Sequence, residues 1–163
     1  MAGIHKMEKS IRIIIVAIFI TVSAIFYNQF YQGNAIQNFQ GQKEKTIVTN
    51  VIDGDTIVIS GGDRVRLLGI DSPEKGEFFY KESKARLEEL VENKEVMLEK
   101  EGDNKDKYGR LLRYIFINNT NVNLQLVQEG YAICYFYEES KYQDSCKTLE
   151  QNAMQNKIGR WQK

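Results

Sequence analysis

The chain has 163 residues, of which 42% are hydrophobic and 27% charged, a composition typical of one globular domain. Its formal net charge is zero, and residues 46–163 carry 17 Lys and Arg against 20 Asp and Glu. This balance argues against a domain that binds nucleic acid through bulk positive charge, although local phosphate contacts stay possible. The single histidine, His5, lies near the N-terminus, which excludes a histidine base from residues 46–163 and disfavours a zinc site there.

The first 28 residues predict a signal peptide or an N-terminal membrane anchor. Three basic residues precede an uncharged apolar run at residues 13–27, as in an export signal. Small residues at 22–24 offer a cleavage site, whereas a helix four residues longer approaches the roughly 20 residues that span a bilayer. Either alternative places the rest of the chain outside the cytosol, secreted or anchored to the cell membrane. Residues 29–45, rich in Gln, Asn and Gly, are expected to form a flexible spacer before the domain at 46–163.

The segments of the domain predict a mainly β fold with accessory helices, of the α+β class. Five segments have the composition or alternation of strands: residues 46–51, 56–60, 64–70, 94–100 and 111–117. Three further segments are expected to be helices: residues 80–93, 122–129 and 141–157. Five short strands with three helices indicate a barrel of the oligonucleotide/oligosaccharide-binding (OB) type, preceded in the chain by the N-terminal hydrophobic helix.

Cys134 and Cys146 are the only cysteines in the sequence. Export would make a disulfide between them chemically possible. Their spacing does not decide between this bond and a role as small buried apolar residues.

Two acidic motifs lie next to predicted strands. Asp53 and Asp55 are two residues apart at the start of a strand, so regular pleating directs both side chains to one side, and Gly54 permits close approach. The alternative for this motif is a simple turn. In the second motif Arg66 lies inside a strand, and residues 71–74 (Asp-Ser-Pro-Glu) follow its end. Because an unpaired buried charge is costly, Arg66 requires an anion.

A third motif, Asp-Lys-Tyr-Gly-Arg at residues 106–110, adds a second arginine. By itself it could be a solvated loop. Taken together, the three motifs supply carboxylates for a hard divalent cation and two planar guanidinium groups for a phosphodiester. This combination predicts metal-assisted phosphoryl chemistry.

In order and spacing, the motifs resemble those of the staphylococcal nuclease (thermonuclease-like) family over about residues 46–161. They are Val51-Ile52-Asp53-Gly54-Asp55-Thr56, Arg66-Leu67-Leu68 with Asp71-Ser72-Pro73-Glu74, and Asp106-Lys107-Tyr108-Gly109-Arg110. The resemblance implies an OB-type barrel and calcium-dependent hydrolysis of DNA and RNA that leaves 3′-phosphate ends. We expect a monomer that acts on single-stranded or unpaired regions.

The resemblance also implies a calcium site. Carried over by position, Asp55 and Asp71 would bind Ca²⁺ through their carboxylates, and Ser72 through its backbone carbonyl. Asp53 would lie near the ion and contact it through a water molecule. Ser72 replaces the threonine that is common in this motif, a change that a backbone ligand should tolerate.

Three residues are expected to carry the catalysis. Glu74 is the candidate general base or water-orienting group. Arg66 and Arg110 would hold the phosphate and stabilise the charge that develops in the transition state.

Substrate contacts are expected from Lys107, Tyr108, Tyr135 and Tyr137. The tyrosines could stack on bases, as aromatic side chains do in single-strand grooves, and core packing is their alternative role. The loop at residues 75–79 is short and lacks the basic insertion of some family members, so substrate affinity or length preference is expected to differ.

The alternative function is a noncatalytic nucleic-acid-binding module, because the same barrel also serves as a binding scaffold. The presence of every motif acid and arginine favours the enzyme. The sequence leaves open the preference between DNA and RNA and the balance of endonuclease and exonuclease action.

Overall fold

The computed structural model describes residues 21–24 and 43–162. The chain divides into two units, Met1–Gln40 and Gly41–Lys163, and in the first unit residues 21–24 are helical. The rest of the predicted leader and most of the predicted spacer lie outside the described residues. Within the described part of the chain, no helix has the length and apolar character needed to span a bilayer. The signal peptide or anchor therefore stays a prediction.

The second unit contains the expected strands and helices. In the described residues the order is β1 (Lys43–Val51), β2 (Thr56–Ile59), β3 (Arg64–Leu67), β4 (Ile70–Asp71), α1 (Tyr80–Val91), β5 (Glu95–Glu99), β6 (Leu111–Ile117), β7 (Thr120–Asn121), α2 (Val122–Gln128), β8 (Ile133–Cys134) and α3 (Gln143–Gln155), followed by a 3₁₀ helix at Gly159–Trp161. All five predicted strands and all three predicted helices are present. The short strands β4, β7 and β8 were not predicted.

Five of the strands form a closed barrel. Strand β1 pairs antiparallel with both β2 and β5, β2 pairs with β3, and β5 pairs with β6. A parallel pairing of β3 with β6, with Val65 opposite Leu111, closes the barrel. Its core is built from buried branched residues such as Ile57 and Ile115. Alternate residues of a strand face the same side, so the apolar pattern predicted these strands correctly. The predicted five-stranded barrel is confirmed.

Strand β1 begins at Lys43, three residues before the predicted start of the domain. The additional residues extend the pairing with β5, where Lys43 lies opposite Glu99. The ammonium group of Lys43 lies 3.6 Å from the Glu99 carboxylate and 4.1 Å from the centroid of the Phe116 ring. These contacts account for strand structure in a segment whose composition suggested a spacer.

The predicted strand at residues 64–70 is wrong in one respect, because it breaks after Leu67. Gly69 has a φ of +73°, and a Cβ atom there would lie 2.5 Å from the ring of Phe136. The chain turns at this glycine, and Ile70 and Asp71 pair with β8 instead of continuing along the barrel. The acidic end of the second motif is thus attached to a segment more than 60 residues later in the sequence.

Asn123 fixes helix α2 to the barrel. Its side chain is fully buried, and its oxygen accepts a hydrogen bond from the backbone of Ile115 at 3.0 Å. Its amide nitrogen donates to the carbonyls of Leu68, at 2.9 Å, and Arg113, at 3.3 Å. One buried side chain therefore joins β6 to the turn where β3 ends, which helps to fix the exit of the second motif.

The structure contains a disulfide between Cys134 and Cys146, the first of the two alternatives that the sequence left open. The bond links β8 to α3. Strand β8 pairs with β4, which contains Asp71, so the disulfide is attached to the strand next to that residue.

We expect reduction of this disulfide to lower the free energy of unfolding by about 3 kcal/mol. A disulfide that closes a loop of this length typically contributes that much, because it restricts the unfolded chain. Urea unfolding with and without dithiothreitol measures the change. The Cys134→Ala/Cys146→Ala double variant should reproduce it and should show no further response to dithiothreitol. Superimposable curves for the oxidised and reduced protein would contradict a stabilising disulfide.

Candidate active site

The first two motifs are held together by the main chain around Asp55. This residue is only 6% exposed, and its Oδ2 accepts a hydrogen bond from the backbone N–H of Ser72 at 2.8 Å. Its carbonyl accepts from the backbone of Leu67 at 2.8 Å. Gly54 makes the approach possible, since a Cβ there would lie 2.7 Å from the Cβ of Ser72. The Asp-Gly-Asp motif thus packs closely against the second motif and also supplies carboxylates.

Arg66 bridges two of the predicted metal ligands. Its Nε lies 3.2 Å from Oδ1 of Asp55, and its Nη2 donates to Oδ1 of Asp71 at 2.8 Å. Its Nη1 donates to the carbonyls of Leu67 and Ile70, both at 2.8 Å. The anion that Arg66 was expected to require is therefore this pair of carboxylates, and the guanidinium is fixed by contacts along two of its edges.

Arg110 is oriented by Asp106 in the third motif. Oδ2 of Asp106 accepts from Nε of Arg110 at 2.7 Å, and Oδ1 accepts from the backbone N–H groups of Tyr108 and Arg110, both at 2.9 Å. Burial raises the pKa of Asp106, but these hydrogen bonds outweigh it and leave the pKa below its usual value. Asp106 therefore stays ionised and holds Arg110 in a fixed direction.

Thr56 connects Arg110 to the acidic residues. Nη1 of Arg110 lies 3.4 Å from the Thr56 hydroxyl, which itself donates to Oδ1 of Asp55 at 3.0 Å. Both arginines therefore lie next to the same carboxylate, one directly and one through a hydroxyl. Sequence analysis gave Thr56 no role of its own, although its position directly after Asp55 in the motif was the available signal.

Asp53 and Asp71 lie in an environment that disfavours their negative charge. Burial, followed by the charge of Asp55, raises the pKa of Asp53. Burial also raises the pKa of Asp71; Arg66 lowers it in part, and the charges of Asp55 and Glu77 raise it further. A bound divalent cation would offset the repulsion between these carboxylates and favour their ionised forms.

The oxygen donors present here suit a hard cation. Asp55, Asp71 and the Ser72 carbonyl offer only oxygen atoms, which Ca²⁺ and Mg²⁺ prefer and which make a poor site for zinc. Over residues 21–24 and 43–162, no three His, Cys, Asp or Glu side chains converge as a ready-made metal site. The candidate set contains two carboxylates and a main-chain carbonyl, so additional ligands would come from water or substrate.

The motif side chains open onto one cleft of about 740 Å³. Glu74 lies on its wall with an exposed side chain. Its carboxylate has no hydrogen bond or ion pair with any other residue that the structure describes. The predicted site residues that line the cleft are Asp53, Asp55, Arg66, Asp71, Glu74, Lys107, Tyr108, Arg110, Tyr135 and Tyr137.

Comparison with known proteins identifies the family. A family model described as "Staphylococcal nuclease homologue" matches residues 64–163, more than half of the chain. The chain belongs to the staphylococcal nuclease family. The matched residues include the second and third motifs, whereas Asp53 and Asp55 precede them.

Relatives in the staphylococcal nuclease family are similar over most of the chain. "Endonuclease YncB" of Bacillus subtilis is 38% identical over 151 residues, which cover 84% of this chain and 72% of that protein. "Thermonuclease" of Staphylococcus hyicus is 30% identical over 161 residues, covering 91% of this chain and 94% of that protein. "Thermonuclease" of Staphylococcus intermedius is 34% identical and covers 74% of this chain and 77% of that protein.

The three tyrosines that were predicted to contact the substrate are exposed at the cleft of this family member. Tyr108 is 72% exposed, Tyr135 44% and Tyr137 87%, so core packing is the wrong alternative for them. The rings of Tyr135 and Tyr137 meet edge to face with centroids 4.9 Å apart, and their hydroxyls lie 2.9 Å apart. Lys107 lies over the ring of Tyr108 at 5.1 Å. A ligand in the cleft can therefore contact the faces of these rings and the ammonium group of Lys107.

Four further acidic residues line the cleft, which sequence analysis missed. They come from two separate loops and are Glu101, Asp103, Glu138 and Glu139. Loop residues this far apart in the sequence give no local signal that they share a wall. Their charge is expected to repel phosphates that pass close to them.

Proposed function

We propose that the chain is a calcium-dependent nuclease that hydrolyses phosphodiester bonds in DNA and RNA with broad sequence tolerance. The observation that carries this proposal is the contact of Arg66 with Asp55 and Asp71, at 3.2 and 2.8 Å, in the cleft that also contains Arg110. This arrangement supports a cation site beside two groups that would bind a phosphate. Relatives named endonuclease and thermonuclease support the nuclease activity.

The metal would be held by the second motif and by Asp55. Asp55 and Asp71 would bind Ca²⁺ through carboxylate oxygens and Ser72 through its carbonyl, and Asp53 would act through a water molecule. When bound, the ion supplies positive charge to the phosphate oxygens and favours ionisation of the attacking water. The raised pKa values of Asp53 and Asp71 support a cation here, because burial first and the charge of Asp55 second disfavour their ionised forms, which a cation would stabilise.

Arg66 and Arg110 would bind the scissile phosphate. Arg110 uses Nε for Asp106 and one long contact for Thr56, so its remaining N–H groups can reach a ligand in the cleft. Arg66 is more fully engaged, with three hydrogen bonds and an ion pair for its five N–H groups. If Asp55 and Asp71 held the metal, Nε and Nη2 of Arg66 would be available to a phosphate.

Glu74 would accept the proton of the attacking water. The water oxygen forms a bond to phosphorus, and the bond from phosphorus to the 5′ oxygen breaks. The 5′ oxygen takes a proton from solvent, and the phosphate stays on the 3′ side. During this step the two arginines stabilise the charge that accumulates on the phosphate oxygens. The exposed carboxylate of Glu74, which has no protein partner among the described residues, suits a proton acceptor.

The substrate would be single-stranded or unpaired nucleic acid. Exposed rings of Tyr108, Tyr135 and Tyr137 provide surfaces on which unstacked bases can lie, and Lys107 adds a positive charge. Bases in an intact duplex could not reach these rings without unpairing. We further propose a monomer, exported by its N-terminal segment and either secreted or anchored to the cell membrane with the domain outside.

The second candidate is a nucleic-acid-binding module without catalysis. The barrel would support it, but binding alone gives no role to an exposed carboxylate in the same cleft as two arginines. Charge on that carboxylate opposes a phosphate ligand, so a pure binding site would be better without Glu74.

Digestion of labelled single-stranded DNA and RNA by the purified protein tests the proposal. With Ca²⁺ we expect cleavage and 3′-phosphate ends, identified by removal of the phosphate with a phosphatase specific for 3′ ends. With EGTA we expect loss of cleavage, and excess Ca²⁺ should restore it. Binding of the oligonucleotide with no cleavage at any Ca²⁺ concentration would favour the second candidate.

A further inference from the structure

Two hydrogen bonds between Glu74 and Glu77 close the turn that carries Glu74. The backbone N–H of Glu77 donates to the carbonyl of Glu74 at 2.9 Å, and Gly76 has the positive φ, +98°, that this turn requires. In the opposite direction, Oε2 of Glu77 accepts from the backbone N–H of Glu74 at 2.8 Å. The side chain of Glu77 thus reaches back three residues to the main chain of the residue with the free carboxylate, as a Glu does in a capping box.

Little else in the described chain holds this turn. Residues 74–77 belong to no helix or strand, and the side chain of Glu77 makes the one side-chain hydrogen bond to residues 74–76 that the structure records. After the turn, the ring of Phe79 lies 5.5 Å from the rings of Phe78 and Tyr131. The direction of the Glu74 side chain therefore depends on a turn with one side-chain support.

We propose that Glu77 is a positioning residue that fixes the main chain of Glu74 and so directs its carboxylate into the cleft. This inference rests on the proposed function of Glu74 and adds a residue to which sequence analysis assigned no role. The contact needs an acceptor and not a charge, because the donor is a neutral backbone N–H. A glutamine at position 77 should therefore support the turn as well as glutamate does.

Steady-state cleavage of single-stranded DNA by Glu77→Ala and Glu77→Gln tests the inference. Glu77→Ala should lower kcat roughly 10- to 100-fold with little change in KM, since misplacing a reacting group affects the chemical step more than binding. Glu77→Gln should keep most of the wild-type kcat. The matched control is Glu82→Ala, which removes another exposed glutamate from the first turn of α1 and should leave kcat unchanged.

A double-mutant cycle separates positioning from general destabilisation. If Glu77 acts through Glu74, adding Glu77→Ala to Glu74→Gln should cause no further loss of kcat. Equal kcat values for Glu77→Ala and the wild type, or equal losses for Glu77→Ala and Glu77→Gln, would overturn the inference. So would additive losses in the cycle.

Amide exchange at Glu74 gives a readout that does not require activity. In ¹⁵N spectra the Glu74 N–H should exchange faster in Glu77→Ala than in the wild type, and Glu77→Gln should retain the protection. Unchanged exchange in Glu77→Ala would also overturn the inference. An inactive wild type with the expected exchange pattern would refute the proposed function and leave the hydrogen bond established.

Discussion

Replacing Arg110 with lysine is expected to lower the turnover number by about 10²–10³, the usual cost of removing one preorganised donor to a transition state. Asp106 holds Nε of Arg110, which leaves the outer N–H groups directed at the cleft. Lysine lacks the planar fork of arginine. Its single nitrogen would have to contact both Asp106 and the ligand. Steady-state cleavage of single-stranded DNA at saturating Ca²⁺ measures the effect.

Arg86→Lys is the matched control for this substitution. Arg86 pairs with Glu129 and Glu89 and does not line the cleft, so its replacement should leave turnover unchanged even if stability falls slightly. Thermal unfolding of both variants checks that the proteins are folded. A folded Arg110→Lys variant with near-normal turnover would remove Arg110 from the mechanism.

Glu74→Gln is expected to lower kcat by about 10²–10⁴, the range for loss of a positioned general base. The variant should fold normally, because the Glu74 carboxylate has no protein partner in the described residues. KM should change little if Glu74 acts on water and not on the substrate. Single-turnover cleavage at saturating Ca²⁺ measures the chemical step directly.

Two observations would count against Glu74 as the base. One is a Glu74→Gln variant with the wild-type rate of the chemical step. The other is a loss of similar size in Glu82→Gln, which changes an exposed glutamate of α1 and should have no effect on the rate. Far-ultraviolet circular dichroism of both variants excludes unfolding as the cause.

The barrel was predictable from sequence because its signals are local. Its five strands contain alternating or β-branched residues, and the helices carry apolar stripes. Helix α2 also has Asn121 as an N-cap, and these signals can be found without knowledge of the partners in the fold. The break in the third strand was not predictable in this way. It depends on contact between Gly69 and Phe136, and on pairing of β4 with β8, which are far apart in the sequence.

The components of the candidate site were predictable, but their connections were not. The motifs named the acids and both arginines, and a charge inside a strand indicated that Arg66 needs an anion. Which anion it contacts depends on the approach of Ser72 to Gly54, and that is a tertiary contact. Thr56 acts through two side-chain hydrogen bonds and Glu77 through one, and residues of their type have many other roles in proteins.

The most direct measurement of the central claim is a crystal structure of the protein with Ca²⁺ and a short single-stranded oligonucleotide whose central linkage resists hydrolysis. The account predicts Ca²⁺ bound by the carboxylates of Asp55 and Asp71, with the guanidinium groups of Arg66 and Arg110 on the same phosphate and Glu74 facing its phosphorus. Calcium held elsewhere, or the two arginines on different phosphates, would contradict it.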